Sequence, residues 1–297
     1  MRNRAQIGLL PDGRRLYLHD GPIDLIIQAF GPATQIQAAY RAATQRFVTV
    51  LDELCSELTI LRQPFRGDGP QPTGVVAKRM AYAVAPYASQ TFITPMAAVA
   101  GGVAEEILEA MTSAADFARA YVNDGGDIAI HLGPGQQFIV GMVERPDRPS
   151  LFGSAILDAD QPARGIATSG WRGRSFSLGI ADAVTVLADR AAMADAAATI
   201  IANAVDLPGH QGITRRRACD LTPDSDLGHR LVTQGVGGLT AHEVATALDA
   251  GEIMAYSLLH AGLIRAAALR LQDETRVVGA GREGLEITSN SGSLVNA

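Results

Sequence analysis

The residues best suited to chemistry lie in an alanine-rich segment, residues 191–205, which reads AAMADAAATIIANAV. Alanine is the strongest helix former, so this composition predicts a helix. Asp195 and Thr199 are four positions apart, a spacing that places a carboxylate and a hydroxyl on one helical face. Such oxygen donors suit a hard cation such as Mg²⁺, with waters and other residues completing its coordination. The alternative is structural, because Thr often bonds back to its own helical turn and a single Asp often caps a helix or faces water.

Two aspartates, Asp127 and Asp182, are candidates for acid–base catalysis. Asp127 closes the sequence Asp124-Gly125-Gly126-Asp127, which lies between two apolar runs and predicts a strand, a tight turn and a second strand. Glycine-rich turns present backbone N–H groups that can bind an anion. The alternative is that the aspartates only support the turn.

A polar turn followed by two arginines is a second candidate for cofactor binding. Thr168 and Ser169 carry hydroxyl groups within the turn, and Arg172 and Arg174 follow it. Arginine suits planar oxyanions, so both side chains are candidates for pairing with a phosphate or carboxylate. Solvated surface charge is the alternative interpretation of the arginines.

Three familiar motifs fail on their context. Residues 279–284 match G-x-G-x-x-G, but too few residues follow for the helix, strand and acidic residue of a dinucleotide site. Ser169 has Ala167 two positions before it, where a nucleophile elbow needs glycine. The six histidines include no pair at the spacing of a zinc site.

Apolar periodicity predicts the elements that position these residues. Strands are expected at residues 15–19, 23–30, 155–157, 263–271 and 276–278, and one or two strands at 176–188 with Gly179 as a bend. Helices are expected at 32–61, 75–84, 191–205, 240–250 and 252–258. Thr240 and Glu243 have the spacing of a capping box. Gly101 and Gly102 would weaken a helix, which makes sense where backbone or ligand approaches closely; a tight helix crossing is the alternative.

Length and composition indicate a folded protein. The chain has 297 residues, of which 47% are hydrophobic and 19% charged, and a net charge of −6. This charge argues against non-specific nucleic-acid binding, which needs a basic surface. Two cysteines are too few for a disulfide framework. Because no signal-peptide pattern and no run of about 18 apolar residues occurs, we expect a cytoplasmic protein outside the membrane.

Three ordered motifs resemble the ApbE-like superfamily, which includes the FAD:protein FMN transferases. They are AVAGGVAEE at residues 98–106, VNDGGDI at 122–128, and ATSGW at 167–171 together with the run that ends at Thr199. The likeness covers residues 23–205 and is closest to an uncharacterised cytoplasmic branch of the superfamily. It implies that Mg²⁺ is held by the side chains of Asp195 and Thr199 and by the backbone carbonyl of Ala100.

The resemblance also implies a pocket for FAD or FMN. The positions that match its lining are Met96, Gly125, Gly126, Asp127, Thr168 and Ser169. The transferases carry an H-x-I-x-D-P segment where this chain has SFSLGIAD, and a lysine where it has Gly101. The resemblance therefore implies the fold and the pocket more strongly than transfer of FMN to a protein.

These observations predict a mixed α/β (α+β) fold with a curved, mostly antiparallel sheet and packed helices. We expect a single domain over residues 1–297, with 206–285 as a C-terminal lobe and 286–297 as a frayed tail. The leading hypothesis is an enzyme, a transferase or hydrolase, that binds a phosphate-bearing or heterocyclic small molecule such as a flavin nucleotide with Mg²⁺. The alternatives are a non-catalytic flavin-like binding protein and a metal-free hydrolase of a small heterocycle. A homodimer is the hypothesised assembly.

Overall fold

The computed structural model describes residues 4–143, 151–279 and 285–286. Its strands are β1 (Gln6–Leu9), β2 (Leu16–Asp20), β3 (Ile23–Phe30), β4 (Arg119–Asp124), β5 (Asp127–Leu132), β6 (Gln137–Val143), β7 (Leu151–Asp158), β8 (Gly165–Ser169), β9 (Ala183–Ala188), β10 (Ile213–Arg217), β11 (Leu231–Val236), β12 (Ala266–Leu271), β13 (Glu274–Val278) and β14 (Leu285–Glu286). Its α-helices are α1 (Ala33–Ser56), α2 (Leu58–Leu61), α3 (Val75–Val84), α4 (Val99–Ala114), α5 (Ala191–Ala204), α6 (Ala218–Leu221) and α7 (Ala241–His260).

The chain divides into two compact units. The first comprises Met1–Gln137, Asp158–Ala167 and Asp189–Ala196, and the second comprises Phe138–Leu157, Thr168–Ala188 and Ala197–Ala297, each within its described residues. The lobe predicted at 206–285 falls in the second unit, and the single domain stays a prediction. Apart from Glu286, the predicted tail lies outside the described residues.

The first unit is an antiparallel sheet with helices packed against it. Its strand order is β1-β2-β3-β4-β5-β8. Side chains along β3 alternate between buried and partly exposed, and Leu25 and Ile27 are fully buried. Because successive side chains of a strand point to opposite faces, this pattern gives the sheet one apolar face. Helix α4 packs on β4 and β5, and α1 and α3 pack on α4.

The second unit also combines antiparallel strands with a helix. Strands β9, β12 and β13 pair in that order, and α7 packs on β12 and β13. Every residue of β9 is buried. Strands β10 and β11 form a separate antiparallel pair, and β7 lies between β14 and β6. The predicted mixed α/β fold with an antiparallel sheet and packed helices is confirmed. None of the helices described is long and apolar enough to span a membrane.

Two predicted helical boundaries were wrong. The helix expected at residues 32–61 is interrupted at Glu57, whose carboxylate accepts hydrogen bonds from the N–H groups of Thr73 and Gly74. The two helices expected at 240–250 and 252–258 form the single helix α7, which continues through Gly251. A Cβ atom at Gly251 would lie 2.3 Å from a methyl group of Val205. This glycine therefore serves close packing instead of ending a helix.

Of the one or two strands predicted at residues 176–188, the structure has one, β9, which occupies only the last part of that range. Before β9 the chain passes Gly179, where a Cβ atom would lie 2.1 Å from the carbonyl oxygen of Ala202. This close approach to α5 is incompatible with a paired strand that carries side chains on both faces. The capping box of Thr240 and Glu243 is confirmed at the start of α7.

Candidate functional site

Asp195 lies at the N-terminus of α4 in the first unit. Its Oδ2 accepts a hydrogen bond from the N–H of Gly101 at 3.0 Å, and the backbone of Ala100 donates a second. Helix α4 has no side-chain cap of its own at this end. Since the first N–H groups of a helix lack partners within the helix and lie at its positive end, a carboxylate here is stabilising. Asp195 therefore caps α4.

The backbones of α4 and α5 touch at this point. A Cβ atom at Gly101 would lie 2.4 Å from the carbonyl oxygen of Ala191 and 2.5 Å from its carbonyl carbon. Only glycine leaves room for such a contact without moving backbone. The contact is the tight helix crossing that was the alternative expectation for this glycine, and the partner is the first residue of α5.

The negative charge of a second carboxylate, that of Asp124, affects the pKa of Asp195. Asp124 ends β4, in which every second residue is buried, and it is only 4% exposed. Burial raises the pKa of Asp195 from 3.8 to about 7, and the negative charge of Asp124 adds to this increase, while hydrogen bonds from Gly101 and Ala100 oppose it. Two neighbouring carboxylates resist being ionised together. A shared proton or a bound cation would relieve their repulsion.

The Asp124–Asp127 sequence forms the predicted strand–turn–strand. Asp124 and Asp127 pair across β4 and β5, and the two residues between them have φ values of 64° for Gly125 and 116° for Gly126. Positive φ values at both central positions favour glycine in such hairpins. The N–H of Gly126 donates to Oδ1 of Asn123 at 2.8 Å, so this donor serves the turn itself.

Ala100 and Thr199 are the other two residues of the predicted metal site. Ala100 presents its N–H to Asp195, whereas the carbonyl of a helical residue points along the axis to the amide four residues on. Thr199 lies one turn after Asp195 along α5, in the second unit. Met96, from the predicted flavin pocket, is partly buried in a short 3₁₀ turn, Pro95–Ala98, just before α4.

Asp182 organises a separate cluster in the second unit. Its Oδ1 accepts hydrogen bonds from Nε1 of Trp171 at 3.0 Å and Nε of Arg172 at 2.5 Å. Its Oδ2 accepts one from the backbone N–H of Gln272 at 2.6 Å. The guanidinium of Arg172 also stacks over the ring of Trp171, 4.4 Å from its centre. Asp182 is 3% exposed, and these bonds favour a structural role for it.

The remaining predicted residues of the second unit lie near the end of β8. Oγ1 of Thr168 is 2.9 Å from Oγ1 of Thr185. Ser169 is partly buried and Arg174 is exposed. The roles in catalysis, flavin binding and metal binding predicted for Asp127, Asp182, Arg172 and these residues stay predictions.

Sequence reasoning missed a buried ion-pair network on α4. Oε1 of Glu105 accepts the N–H of Ala192 at 2.8 Å, and its Oε2 is 2.7 Å from Nη2 of Arg190 and 3.3 Å from Nη1 of Arg79. Arg79 also bonds to Glu106. The available signal was Glu105 and Glu106 themselves, two charges in succession within an otherwise apolar helical segment. Buried charges of this kind require partners.

The donor set at Asp124 and Asp195 is compatible with Mg²⁺. In the part of the chain that the structure describes, no group of three or more His, Cys, Asp or Glu residues is placed to hold a metal ion. Mg²⁺, however, is commonly bound by one or two carboxylates while waters and substrate phosphates complete its octahedron. Two carboxylates that repel each other therefore fit this ion when a ligand supplies the other oxygens.

Comparisons with known proteins found related sequences. The family model described as AbpE bacteria matches residues 7–277. A UPF0280 protein of Methanopyrus kandleri is 38% identical over 128 residues, which are 43% of this chain and 48% of that protein. A UPF0280 protein of Methanosphaerula palustris is 34% identical over 184 residues, 57% of this chain and 70% of that protein. The chain spans about half the length of the first of these curated relatives.

One solved structure is similar to this chain over most of its length. It is the crystal structure of Pseudomonas stutzeri flavinyl transferase ApbE in its apo form. The comparison covers 93% of this chain and 97% of that one, with 12% sequence identity and a TM-score of 0.43.

Proposed function

The chain belongs to the AbpE bacteria family, and from this premise we propose that its first unit binds a phosphate-bearing small molecule together with Mg²⁺ at Asp124 and Asp195. The family match confirms the resemblance to the ApbE-like superfamily that three motifs predicted. The observation that carries the proposal is the burial of the Asp195 carboxyl group within reach of the negative charge of Asp124. Burial, the larger cause, and this charge raise the pKa of Asp195 to about 7.

Asp124 is buried and its charge disfavours ionisation of Asp195. A cation between the two groups removes this repulsion, and strongly perturbed pKa values with such a cause concentrate at functional sites. The site therefore has the character of a cation site whose protonated form is populated near neutral pH.

The chain's own groups would orient the ligand and handle protons. The bond from Gly101 to Asp195 fixes one carboxylate oxygen, and the positive end of α4 adds a favourable field for an anionic ligand. Bound Mg²⁺ would neutralise phosphate charge. With a pKa of about 7, Asp195 can hold or release a proton at neutral pH. A flavin nucleotide, FAD before FMN, is the first candidate ligand, and transfer or hydrolysis at its phosphate is the candidate reaction.

A second candidate function is a non-catalytic binding protein. The bonds that Asp195 receives from Gly101 and Ala100 favour it, because a helix cap requires neither a metal nor chemistry. In this case the ligand binds equally well with and without Mg²⁺. The third alternative, a metal-free hydrolase, has less support: the hydroxyl of Thr168 contacts that of Thr185, which is not a general base.

Thermal unfolding with FAD, FMN and ADP, each with and without Mg²⁺, tests the proposal. A ligand present at about 100 times its Kd stabilises the native state by roughly 2.7 kcal/mol. We expect a nucleotide-induced rise in Tm that requires Mg²⁺, is lost in Asp195→Asn and is retained in Asp273→Asn, a control at an exposed carboxylate. A rise independent of Mg²⁺ and of Asp195 supports the binding protein instead. No rise with any nucleotide contradicts both.

A further inference from the structure

A pocket of about 250 Å³ opens beside the ion-pair network of the first unit. It is lined by Lys78, Arg79 and Tyr82 of α3, by Glu105 of α4, and by Arg190 and Met193 at the start of α5. Three of these side chains carry positive charge and one carries negative charge. Neither Asp124 nor Asp195 lines this pocket.

Most of the charge in the lining is already paired. Arg79 forms ion pairs with Glu105, Glu106 and Glu109. Glu105 uses Oε2 for Nε and Nη2 of Arg190 and Oε1 for the N–H of Ala192. These bonds hold Arg190 by one edge of its guanidinium, while 49% of the side chain stays exposed.

Two donors remain available for a ligand. Within the described residues, neither Nη1 of Arg190 nor the ammonium group of Lys78 has a hydrogen-bond partner, and the positive charge of Lys78 acts on the carboxylate of Glu57. Lys78 is exposed, and it is the only lysine among the 25 basic residues of the chain. The ion pairs with Glu105, Glu106 and Glu109 balance the charge of Arg79 and Arg190. The ammonium group of Lys78 and the outer edge of the Arg190 guanidinium are therefore the donors that remain for a ligand.

We propose that this pocket binds a small organic phosphate monoester. The ammonium group of Lys78 acts as a point charge, and the ion pair with Glu105 leaves Arg190 the two hydrogens of Nη1 and one of Nη2. A phosphate monoester carries nearly two negative charges near neutral pH and three acceptor oxygens, so it can engage both cations at once more strongly than a singly charged carboxylate. Tyr82, which is 69% exposed, and Met193 offer apolar surface to the organic part. The volume suits a phosphorylated ring and is too small for a dinucleotide.

Calorimetric titration of the whole chain with phenyl phosphate tests this proposal. Lys78→Met should weaken binding by about tenfold or more, the loss of one charge-assisted contact. Lys78→Arg, which keeps the charge, should bind within a few-fold of wild type. Arg41→Met removes an exposed cation outside the pocket lining and should bind as wild type does.

The single lysine provides an independent readout. Phenyl phosphate should protect Lys78 from acetylation by an amine-reactive reagent, measured by mass spectrometry of the peptide that contains it, and benzoate at the same concentration should protect it less. Circular dichroism checks that the variants fold. Equal affinity of Lys78→Met and wild type, equal protection by benzoate, or no binding at millimolar phenyl phosphate would overturn the proposal. Since neither Asp124 nor Asp195 is altered, these results are separable from those on the Mg²⁺ site.

Discussion

Glu105 and Asp195 cap each other's helices. Glu105 of α4 accepts the N–H of Ala192 in the first turn of α5 at 2.8 Å, and Asp195 of α5 accepts the N–H of Gly101 in the first turn of α4 at 3.0 Å. Each carboxylate thus satisfies donors that the other helix leaves unpaired. The exchange holds the start of α5 against α4 in the first unit and places Asp195 where the charge of Asp124 reaches it.

Neighbouring glycines on α4 test this helix contact. We predict that Gly101→Ala lowers the free energy of unfolding by roughly 2–3 kcal/mol, because its Cβ would overlap the backbone of Ala191. Gly102→Ala is the matched control, since its nearest new contact is the flexible side chain of Met80 at 3.3 Å. Alanine gains about 1 kcal/mol of helix propensity there. Urea unfolding measures both variants, and equal stability of the two would contradict the contact.

The raised pKa of Asp195 predicts a pH dependence. The pKa is about 7 in the folded protein and 3.8 ordinarily, so between these values the folded state binds more protons. The free energy of unfolding should therefore fall as pH rises from about 4 to about 7, by at most about 1.4 kcal/mol per pH unit. Asp195→Asn lacks this pH-dependent contribution to the free energy of unfolding.

The measurement is urea unfolding of wild type and Asp195→Asn without Mg²⁺ from pH 4.5 to 8. The variant should become more stable relative to wild type as pH rises, and Asp273→Asn, at an exposed carboxylate, should show no such trend. A difference between wild type and Asp195→Asn that stays constant over this range would mean that Asp195 titrates as an ordinary carboxyl.

Asp182 is predicted to support structure in the second unit. Replacing it by Asn leaves Arg172 without its ion-pair partner, and because the amide has only one acceptor oxygen, either Trp171 or Gln272 loses its acceptor. We expect a loss of roughly 2–3 kcal/mol. Trp171 is the only tryptophan, so its emission maximum should shift to longer wavelength.

Asp273→Asn again serves as the control, because Asp273 directly follows Gln272 and is exposed. If Asp182→Asn keeps the stability and emission of wild type, the cluster is not structural, and the acid–base role of Asp182 becomes the better interpretation.

The predictions that succeeded depend on local sequence. The capping box of Thr240 and Glu243 and the hairpin at Gly125 and Gly126 each involve residues within a few positions of one another. Spacing therefore specifies them directly. Gly251 misled the prediction of α7 because helix propensity is a weak signal that packing overrides.

The relationships at the candidate site depend on contacts between distant segments. The charge of Asp124 acts on Asp195, and Glu105 bonds to Ala192, only because β4, α4 and α5 pack together. Spacing within one helix linked Asp195 to Thr199 and could not reveal Asp124. Every second residue of β4 is buried, and this pattern places Asp124 on the inner face of the sheet. The apolar residues at positions 120 and 122 indicate the same pattern in the sequence.

Proton release on Mg²⁺ binding is the most direct test of whether Asp124 and Asp195 hold this ion. Calorimetric titration with Mg²⁺ at pH 7, repeated in buffers of different ionisation enthalpy, counts the protons released. Because the pKa of Asp195 is about 7, wild type should release about half a proton per ion bound. Asp195→Asn should release none. Absence of Mg²⁺ binding to wild type, or binding with no dependence on the buffer, would contradict a cation site at this carboxylate pair.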